Sequence, residues 1–340
     1  MTDGSDDRYW DKSVKLSSYG FRRVNRNPER ALNVGGSAAE PDGRDSLGSA
    51  LGLTHQVRVR WAVQPAVKSF YGILVISLAF GRMLCAQQTV DELRDLARNP
   101  VADAIKIPFV ESINFDAGPY DRTSHSLQVQ PVLPLQISKN WLLVTRVIAN
   151  AVVYDPDVTR KNGGTTGFGD TNAIFIFTRL RARKLIWGFG PSVLIPIATD
   201  AELGAGKWDA GPAVVVLAEP DWGSLGVAVQ NLWSLPGHSS RASVNQVQIE
   251  TSASYNLPHG WYLVTAPTIN GDWTQASGNR WLVPFGGGAG RTFHICNQAV
   301  DSNVTLYYNA IRPSTQFYPR WQLSLQFTLM YPKEQRPKSN

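Results

Sequence analysis

The stretch RWQLSLQFTLMY, residues 320–331, alternates between apolar and polar side chains almost without interruption. Successive side chains of a β-strand point to opposite faces, so this segment predicts a strand with one apolar and one polar face. Such a strand is typical of an outer-membrane β-barrel, in which the apolar face meets lipid and the polar face a lumen. The apolar set is Trp321, Leu323, Leu325, Phe327, Leu329 and Tyr331, and the polar set is Gln322, Ser324, Gln326 and Thr328.

The same alternation recurs upstream, for example at Val304, Leu306 and Tyr308 against Asn303, Thr305 and Asn309. We predict an all-β fold, a transmembrane antiparallel up-and-down barrel of about 12 strands with a short helix before the first. An even number lets the barrel close with both ends on one side of the membrane. The strands are expected near 106–116, 124–137, 141–154, 168–180, 185–198, 212–220, 224–235, 244–257, 261–271, 280–293, 302–312 and 320–331. Pro131 and Pro134 lack an N–H for the ladder and predict a bulge or incomplete pairing.

The segment before the barrel has the order of an export signal. Arg58, Arg60 and Lys68 precede the apolar run 70–80, and cleavage is expected after Ala86. We therefore predict a disordered or wrongly assigned extension at 1–57, a signal peptide at 58–86 and a periplasmic lead-in at 87–104. The barrel follows at 105–331 and a polar tail at 332–340. The alternative for the run 70–80 is a buried strand or helix of a soluble domain.

The lead-in contains TVDELRDLARNP, residues 89–100, which predicts a short helix capped by Thr89 and stopped by Pro100. It would form a periplasmic lead-in or the edge of a plug.

Composition limits the classes of function. The 340 residues are 43% hydrophobic, which excludes wholesale disorder, and most of the net charge of +6 lies before residue 87. No stripe of Lys and Arg marks the remainder, so nucleic acid is not an expected partner. The two cysteines, Cys85 and Cys296, leave a processed chain with one thiol and no internal disulfide.

Charged and amide side chains on the polar faces of predicted strands are the candidate lumen residues. A charge facing lipid costs about 2–4 kcal/mol at the midplane for Arg or Lys, so these groups are expected to point inward. They either line a solute path or form an internal network that fills a narrow barrel. The candidates are Arg146, Asn150, Asp170, Asn172 and Glu250.

Tryptophans recur where predicted strands begin or end. An indole ring with one N–H donor is best placed at the level of the lipid headgroups, so this spacing predicts two aromatic girdles. The alternative is a soluble sandwich with tryptophans in its core. The candidates are Trp141, Trp187, Trp233, Trp261, Trp281 and Trp321.

The glycines Gly286, Gly287, Gly288 and Gly290 do not have the spacing of a phosphate-binding loop. We interpret them as strand-bending glycines, where missing side chains permit curvature or a close approach by a plug. The histidines are scattered singly, so no metal site and no cofactor is expected. His125 and Ser126 are neighbours on a strand and face opposite ways, so they do not form a catalytic pair, and no enzyme is predicted.

Residues from about 96 to 331 resemble the bacterial outer-membrane family named for the meta-pathway of phenol degradation, whose members are also labelled transporter or neuromedin U. The resemblance rests on short motifs spread over the domain: 99–102 with 107–109, 114–115, 118–119, 121–123, 130–132, 141 with 145–146, 163–165, 167–170 with 172, 281, 283–284, 286–290, 307–309, 312–313 and the strand at 321. It implies a Gram-negative outer-membrane barrel that moves small, aromatic or hydrophobic compounds, and no catalytic residues to carry over. The N-terminal extension and the tail depart from the family pattern.

These observations lead to three functional hypotheses. The first is a porin-like outer-membrane channel or transporter for small solutes. The second is a non-conducting barrel with a structural or interaction role in the envelope, and the third is a barrel enzyme. The expected partners are outer-membrane lipids, the barrel assembly machinery during biogenesis and an unidentified small solute.

Overall fold

The structure, a computed structural model, describes residues 14–15, 22–23, 89–180, 185–236, 241–313 and 317–332. The predicted signal peptide and the tail beyond residue 332 lie outside these ranges, as does most of the segment 1–57. Among the described residues, no helix is both long enough and apolar enough to cross a membrane.

In the ranges just given, one α-helix, α1 (Val90–Arg98), precedes the barrel. Thr89 caps it, because its Oγ1 accepts a hydrogen bond from the Glu92 amide at 3.3 Å. The Glu92 carboxylate accepts one from the Thr89 amide at 3.0 Å, which completes a capping box. Asn99 is extended and ends the helix one residue before Pro100, so the predicted short helix is confirmed.

The strands are β1 (Val14–Lys15) and β2 (Arg22–Arg23), which pair with each other, and fifteen segments of one antiparallel sheet. The fifteen are β3 (Ala104–Ala117), β4 (Arg122–Val129), β5 (Val132–Gln136), β6 (Trp141–Pro156), β7 (Gly164–Gly167), β8 (Thr171–Arg179), β9 (Leu185–Ile195), β10 (Asp209–Ala218), β11 (Gly223–Ser234), β12 (Asn245–Asn256), β13 (Trp261–Thr265), β14 (Thr268–Asp272), β15 (Trp281–Ile295), β16 (Gln298–Ile311) and β17 (Trp321–Pro332). A 3₁₀ turn spans Ser277–Asn279.

The sheet closes into a barrel of 12 strands, because β17 pairs with β3 from Trp321↔Phe115 to Pro332↔Ala104. Three barrel strands consist of two segments each, β4 with β5, β7 with β8, and β13 with β14. The first break falls at Pro131, as the sequence predicts. The predicted fold, an all-β antiparallel barrel of 12 strands with one short helix before it, is confirmed.

The two ends of the barrel differ in their connections. At the end where β3 begins and β17 ends, short turns such as 137–140, 219–222 and 296–297 join the strands; we call this the helix end. At the opposite end, which we call the loop end, the connections include 196–208, 235–244 and 273–280. Outer-membrane barrels have short periplasmic turns and longer extracellular loops, so the helix end matches the periplasmic side.

The alternation of β16 and β17 has the predicted sense. Val304, Leu306 and Leu325 point outward and are 40–50% exposed, whereas Asn303, Thr305 and Thr328 point inward and are buried. Similar outward side chains cover β5, β9, β10 and β11 and include Leu133, Leu135, Phe189, Val214, Val216, Leu225 and Val227. Apolar surface of this extent marks a protein that meets a membrane or partners.

The interior is not uniformly polar, which corrects the simple assignment of apolar faces to lipid and polar faces to a lumen. Inward side chains of β6, β8 and β10 form an apolar cluster toward the helix end that includes Leu142, Val144, Ile148, Ile174, Ile176, Ala213, Val215 and Leu217. These strands are apolar on both faces, so alternation alone does not reveal which face is inside. The barrel therefore has one polar and one apolar inner wall.

Two strands begin four residues earlier than predicted. The fourth barrel strand begins as the short segment β7 at Gly164, and β16 begins at Gln298 rather than near residue 302. Residues 164–167 lie outside the predicted strands, but they pair with the end of β6 from Val153↔Gly167 to Pro156↔Gly164.

Candidate functional site

A cavity of about 320 Å³ lies inside the barrel and extends from Arg98 at the helix end to Tyr318 at the loop end. Its walls are mainly side chains of β3, β4, β6, β16 and β17. Hydroxyl and amide groups dominate this lining and include Ser112, Asn114, Ser124, Gln128, Gln322, Ser324 and Gln326. The cavity is polar, lacks a dense charge of either sign and is the candidate functional site.

An ion pair crosses the lumen. Arg146 on β6 donates from Nη1 to Glu250 Oε2 on β12 at 2.8 Å, and these are the third and eighth strands of the barrel. With four strands between them on one side and six on the other, the two residues stand nearly opposite each other. Arg146 also donates from Nη2 to Gln130 Oε1 at 2.8 Å. We call the Arg146–Glu250 pair the central bridge; both side chains are about one quarter exposed.

Of the five predicted lumen residues, Arg146, Asn172 and Glu250 line the cavity. Asn172 Nδ2 donates to Ser192 Oγ at 3.2 Å, and Ser192 Oγ donates to Gln230 Oε1 at 2.7 Å. Asn150 does not reach the cavity, because its Oδ1 accepts from Gln128 Nε2 and its Nδ2 donates to the Asp170 carbonyl. Some of the predicted lumen residues therefore line the cavity, and others form an internal hydrogen-bond network, so both of the expected arrangements occur.

Asp170 is 1% exposed and holds a loop rather than lining the lumen. Its carboxylate accepts hydrogen bonds from the Ala198 amide at 3.1 Å and from the Ala205 amide. These amides belong to the loop 196–208, which also contacts β7 through Thr165 Oγ1 and Glu202 Oε2 at 2.6 Å. Asp170 therefore fixes a loop at the loop end.

Helix α1 occupies the helix end of the barrel interior. Leu93 is 1% exposed and packs against Ala299 on β16 and Met330 on β17. Arg94 donates to the Leu257 carbonyl in the turn between β12 and β13 at 3.0 Å. The helix thus contacts strands and turns around the rim and forms the floor of the lumen.

A buried polar group fastens α1 to the barrel wall. Arg98 Nη2 lies 2.5 Å from Asp301 Oδ2 on β16, and Asp301 is fully buried. The same carboxylate accepts from Tyr262 Oη at 2.9 Å and from Thr292 Oγ1 at 2.8 Å. We call these four residues the Arg98 cluster. Burial lowers the pKa of Arg98, but the charges of Asp301 and Tyr262 and the hydrogen bonds with both side chains together outweigh this effect, so the pKa is raised and the guanidinium stays charged.

The end of α1 carries two further charged contacts. Lys106 on β3 donates from Nζ to the carbonyls of Leu96 and Asn99, which places a cation at the helix C-terminus, where the helix dipole favours it. Glu219, in the turn between β10 and β11, lies near Asn99 and Asp95. Burial raises its pKa, and the charge of Asp95 adds to this rise, while a hydrogen bond from the Asn99 side chain opposes it.

A second, smaller cavity of about 60 Å³ lies against the apolar inner wall. Pro100 and Val101 bound it, together with Val144, Ile174, Ile176, Ala213, Val215 and Ala228. Arg146, Gln248 and Glu250 line both cavities, so the central bridge lies between them. Sequence reasoning missed this cavity, because its walls come from strands without clear alternation.

The predicted strand-bending glycines lie on β15. Gly286, Gly288 and Gly290 occupy positions paired with the inward residues Tyr307, Thr305 and Asn303, and Gly287 is paired with the outward Leu306. A Cβ on Gly290 would lie 2.2 Å from Tyr262 Oη, and one on Gly288 would lie 1.8 Å from the Val304 carbonyl oxygen. The absence of side chains thus permits close approach.

The six predicted girdle tryptophans divide equally between the two ends. Trp141, Trp187 and Trp261 lie near strand ends at the helix end, and Trp233, Trp281 and Trp321 lie near strand ends at the loop end. Four of the six are 38–46% exposed, and Trp141 and Trp281 are half-buried. Trp222 at the helix end, and Trp208 and Trp273 at the loop end, belong to the same two sets.

Histidine and acidic side chains do not gather around a common point in the part of the chain that the structure describes, where no group of three or more His, Cys, Asp or Glu could hold a metal ion. His125 contacts Glu111 at 3.6 Å and packs 5.4 Å from the Tyr154 ring. Cys296 is exposed in the turn after β15.

No family model and no curated protein matches this chain. Among solved structures, an outer-membrane channel from Pseudomonas putida F1 is similar with a TM-score of 0.50 and 14% identity, over 68% of this chain and 97% of that one. The toluene transporter TodX of Pseudomonas putida has a TM-score of 0.35 and 9% identity, over 69% of this chain and 91% of that one. A FadL homologue of Pseudomonas aeruginosa has a TM-score of 0.30 and 10% identity, over 67% of this chain and 89% of that one.

The first of these likenesses shows a shared fold. That fold and the apolar outer surface support the predicted location in the bacterial outer membrane.

Proposed function

We propose that this protein is a channel that carries small solutes across the bacterial outer membrane. The observation that carries the proposal is the polar cavity of about 320 Å³, which follows the inside of a closed barrel from Arg98 to Tyr318. A barrel that served only as a scaffold would gain stability from a fully packed interior. The polar wall instead leaves space beside hydroxyl and amide groups.

The proposed orientation places the helix end in the periplasm and the loop end outside the cell. The short turns at the helix end support this orientation. We propose the two sets of tryptophans as girdles at the two lipid headgroup levels, which place the barrel in the membrane but are the same for either direction. Outer-membrane lipids would then surround the outward apolar side chains. The barrel assembly machinery is the proposed partner during insertion.

Two features narrow the path, and each must move or be bypassed when a solute crosses. The first is the central bridge, where Arg146 and Glu250 meet across the lumen. The second is α1, which the Arg98 cluster holds against the wall at the helix end. These features favour a gated channel, and they are also the specific support for the second candidate function, a non-conducting structural barrel.

The finer proposal concerns the solute. Membership of the phenol-degradation family, which the sequence resembles, would imply small aromatic or hydrophobic compounds. One similar structure is an outer-membrane channel and another is a toluene transporter, and a small aromatic or hydrophobic solute is proposed here for this chain. The apolar inner wall around Val144 and Ile174 supports a solute that is at least partly apolar.

Swelling of liposomes that contain the refolded chain tests the proposal, with sugars and small phenolic compounds as solutes. We compare the wild type with Arg146→Glu, with Glu250→Arg and with the double variant that exchanges both charges. Each single change places two like charges across the lumen and is expected to alter flux, while the exchange is expected to restore it. A folded, inserted wild-type barrel and single variants that all pass nothing would favour the structural barrel.

A further inference from the structure

A positive charge stands on the outer face of the barrel at the helix end. Arg291 on β15 is paired with Trp261 on β13 and with Ser302 on β16, and all three side chains point outward. We infer that these three residues form a binding site for the phosphate of a glycerophospholipid in the leaflet at the helix end. We call them the Arg291 site. The inference goes beyond the proposed function, because it requires a membrane but no flux of solute.

The neighbours of Arg291 establish that its side chain points outward. Thr292, the next residue, points inward and donates to Asp301 at 2.8 Å, and successive side chains of a strand take opposite faces. Trp261 stands in the same relation to Tyr262, which is buried inside the barrel. Arg291 is exposed and Trp261 is 46% exposed, so both are accessible to a lipid.

The guanidinium of Arg291 has no protein anion as a partner. In the part of the chain that the structure describes, its side chain makes no ion pair or hydrogen bond, and its Cζ lies 5.4 Å from the centroid of the Trp261 ring. A guanidinium matches a phosphate with two parallel hydrogen bonds. The Ser302 hydroxyl and the Trp261 indole N–H are two further donors on the same face. The Arg291 site therefore offers donors and a positive charge to a lipid phosphate.

A second arginine–tryptophan pair indicates the depth of the Arg291 site in the membrane. Arg280, eleven positions earlier in the chain, lies at the loop end with its Cζ 5.3 Å from the centroid of the Trp273 ring. Strands rise about 3.4 Å per residue and tilt by about 35–45° in membrane barrels, so the two arginines lie about 26–31 Å apart along the membrane normal. The apolar band of such barrels is about 25 Å tall. Arg291 therefore lies beyond one edge of this band, at the level of the phosphates.

The surface beside Arg291 has room for an acyl chain. Toward the middle of the membrane, the next outward positions of β15 are Ala289 and Gly287, which have a small side chain and none. Leu263 on β13 and Leu306 on β16 flank them and are 51% and 47% exposed. An acyl chain that lies over Ala289 and Gly287 would contact apolar side chains on both sides. A free phosphate ion lacks this contact, so the surface favours a phospholipid.

Lipid binding by the full refolded chain in non-ionic detergent tests the inference, measured by native mass spectrometry as the fraction of barrels that carry one lipid. The three ligands are phosphatidylglycerol, the diacylglycerol with the same acyl chains and glycerol 3-phosphate. The diacylglycerol lacks the phosphate, and glycerol 3-phosphate lacks the acyl chains. We expect saturable binding of phosphatidylglycerol and much weaker binding of the other two.

Variants assign the binding to the Arg291 site. Arg291→Gln should weaken phosphatidylglycerol binding by about fivefold or more, because one cation at the headgroup level is lost. Arg160→Gln is the matched control: it removes one positive charge from a loop side chain that is 79% exposed, and it should leave binding unchanged. Trp261→Leu is a second site variant, which removes the ring and its N–H and should also weaken binding. Heat-modifiable migration on a gel reports folding.

Equal binding of phosphatidylglycerol by the wild type and a folded Arg291→Gln variant overturns the inference. An equal loss in Arg160→Gln also overturns it, because net charge alone would then explain the binding. Equal binding of phosphatidylglycerol and diacylglycerol by the wild type refutes recognition of the phosphate, and equal binding of glycerol 3-phosphate refutes a lipid site; neither comparison needs a variant to fold. The swelling assay is independent, since a barrel that binds lipid at Arg291 but passes no solute refutes the channel and leaves the site.

Discussion

Removal of the Asp301 carboxylate should release helix α1 from the barrel. Asp301 is the partner of Arg98 at 2.5 Å and accepts hydrogen bonds from Tyr262 and Thr292, all inside the barrel. Asp301→Ala leaves a guanidinium buried without a counter-ion, a change that costs about 3–5 kcal/mol. The closed sheet of the barrel cannot rearrange around the unpaired charge without losing hydrogen bonds between strands. Helix α1, in contrast, can undock and expose Arg98 to water.

The size of the effect follows from what else holds the helix. Burial of Leu93 contributes about 1.5–3 kcal/mol, which is smaller than or similar to the cost of the unpaired charge. A change of about 3–5 kcal/mol shifts the docking equilibrium by roughly 100-fold to 4,000-fold. We therefore expect hydrogen-exchange protection of the amides from Leu93 to Arg98 to fall by about 100-fold or to reach that of an undocked helix.

Two controls make this result specific. Asp272→Ala removes a carboxylate that is 2% exposed at the loop end, and it should leave the protection of α1 unchanged. Arg98→Met combined with Asp301→Leu removes both charges and should recover much of the protection lost in Asp301→Ala, because no charge is left buried alone. Unchanged exchange of α1 in a folded Asp301→Ala variant would refute the idea that the Arg98 cluster holds the helix.

The remaining predictions concern the pH response of α1 and the packing of β15. The raised pKa of Glu219 means that the docked state binds this proton more tightly, so docking is favoured at low pH and weakens as pH rises from the usual 4.5 through the raised value. In Glu219→Gln, the hydrogen-exchange rates of α1, once corrected for the intrinsic effect of pH on exchange, should no longer show this dependence. A dependence on pH that persists in the variant would contradict its assignment to Glu219. Gly290→Val should destabilise the barrel by about 1–3 kcal/mol, because its Cβ meets Tyr262 Oη at 2.2 Å. Gly278→Val is the control, since nothing lies within 4 Å of a Cβ there, and equal midpoints in heat-modifiable migration for the two variants would disprove the packing argument.

The helix and the barrel could be predicted from local patterns because their determinants are local. Thr89 and Glu92 form a capping box within four residues, and the alternation of β16 and β17 places Leu306 and Asn303 on opposite faces. An even count of such segments allows a closed barrel with both ends on one side of the membrane. Inward orientation of Arg146 and Glu250 was also predictable, because a charge on the lipid face is costly.

The interior arrangement could not be predicted in this way, because it depends on which strands face each other across the barrel. Arg146 and Glu250 are 104 residues apart in sequence and meet only through closure at β17 and β3. Asp170 has the same residue type and strand pattern as a lumen group, yet its carboxylate holds the loop at Ala198 and Ala205.

By itself, the sequence determined the class of fold, the position of the helix and which face of each alternating strand points outward. These features depend on residues close together in the chain, namely the alternation of side chains along a strand and the capping box of the helix. Tertiary structure alone decided the rest. Strands such as β10, with Ala213 and Val215 inward and Val214 and Val216 outward, are apolar on both faces, so their packing partners determine that one inner wall is apolar. The floor formed by α1 and the central bridge likewise arise from contacts across a closed barrel, which no local pattern records.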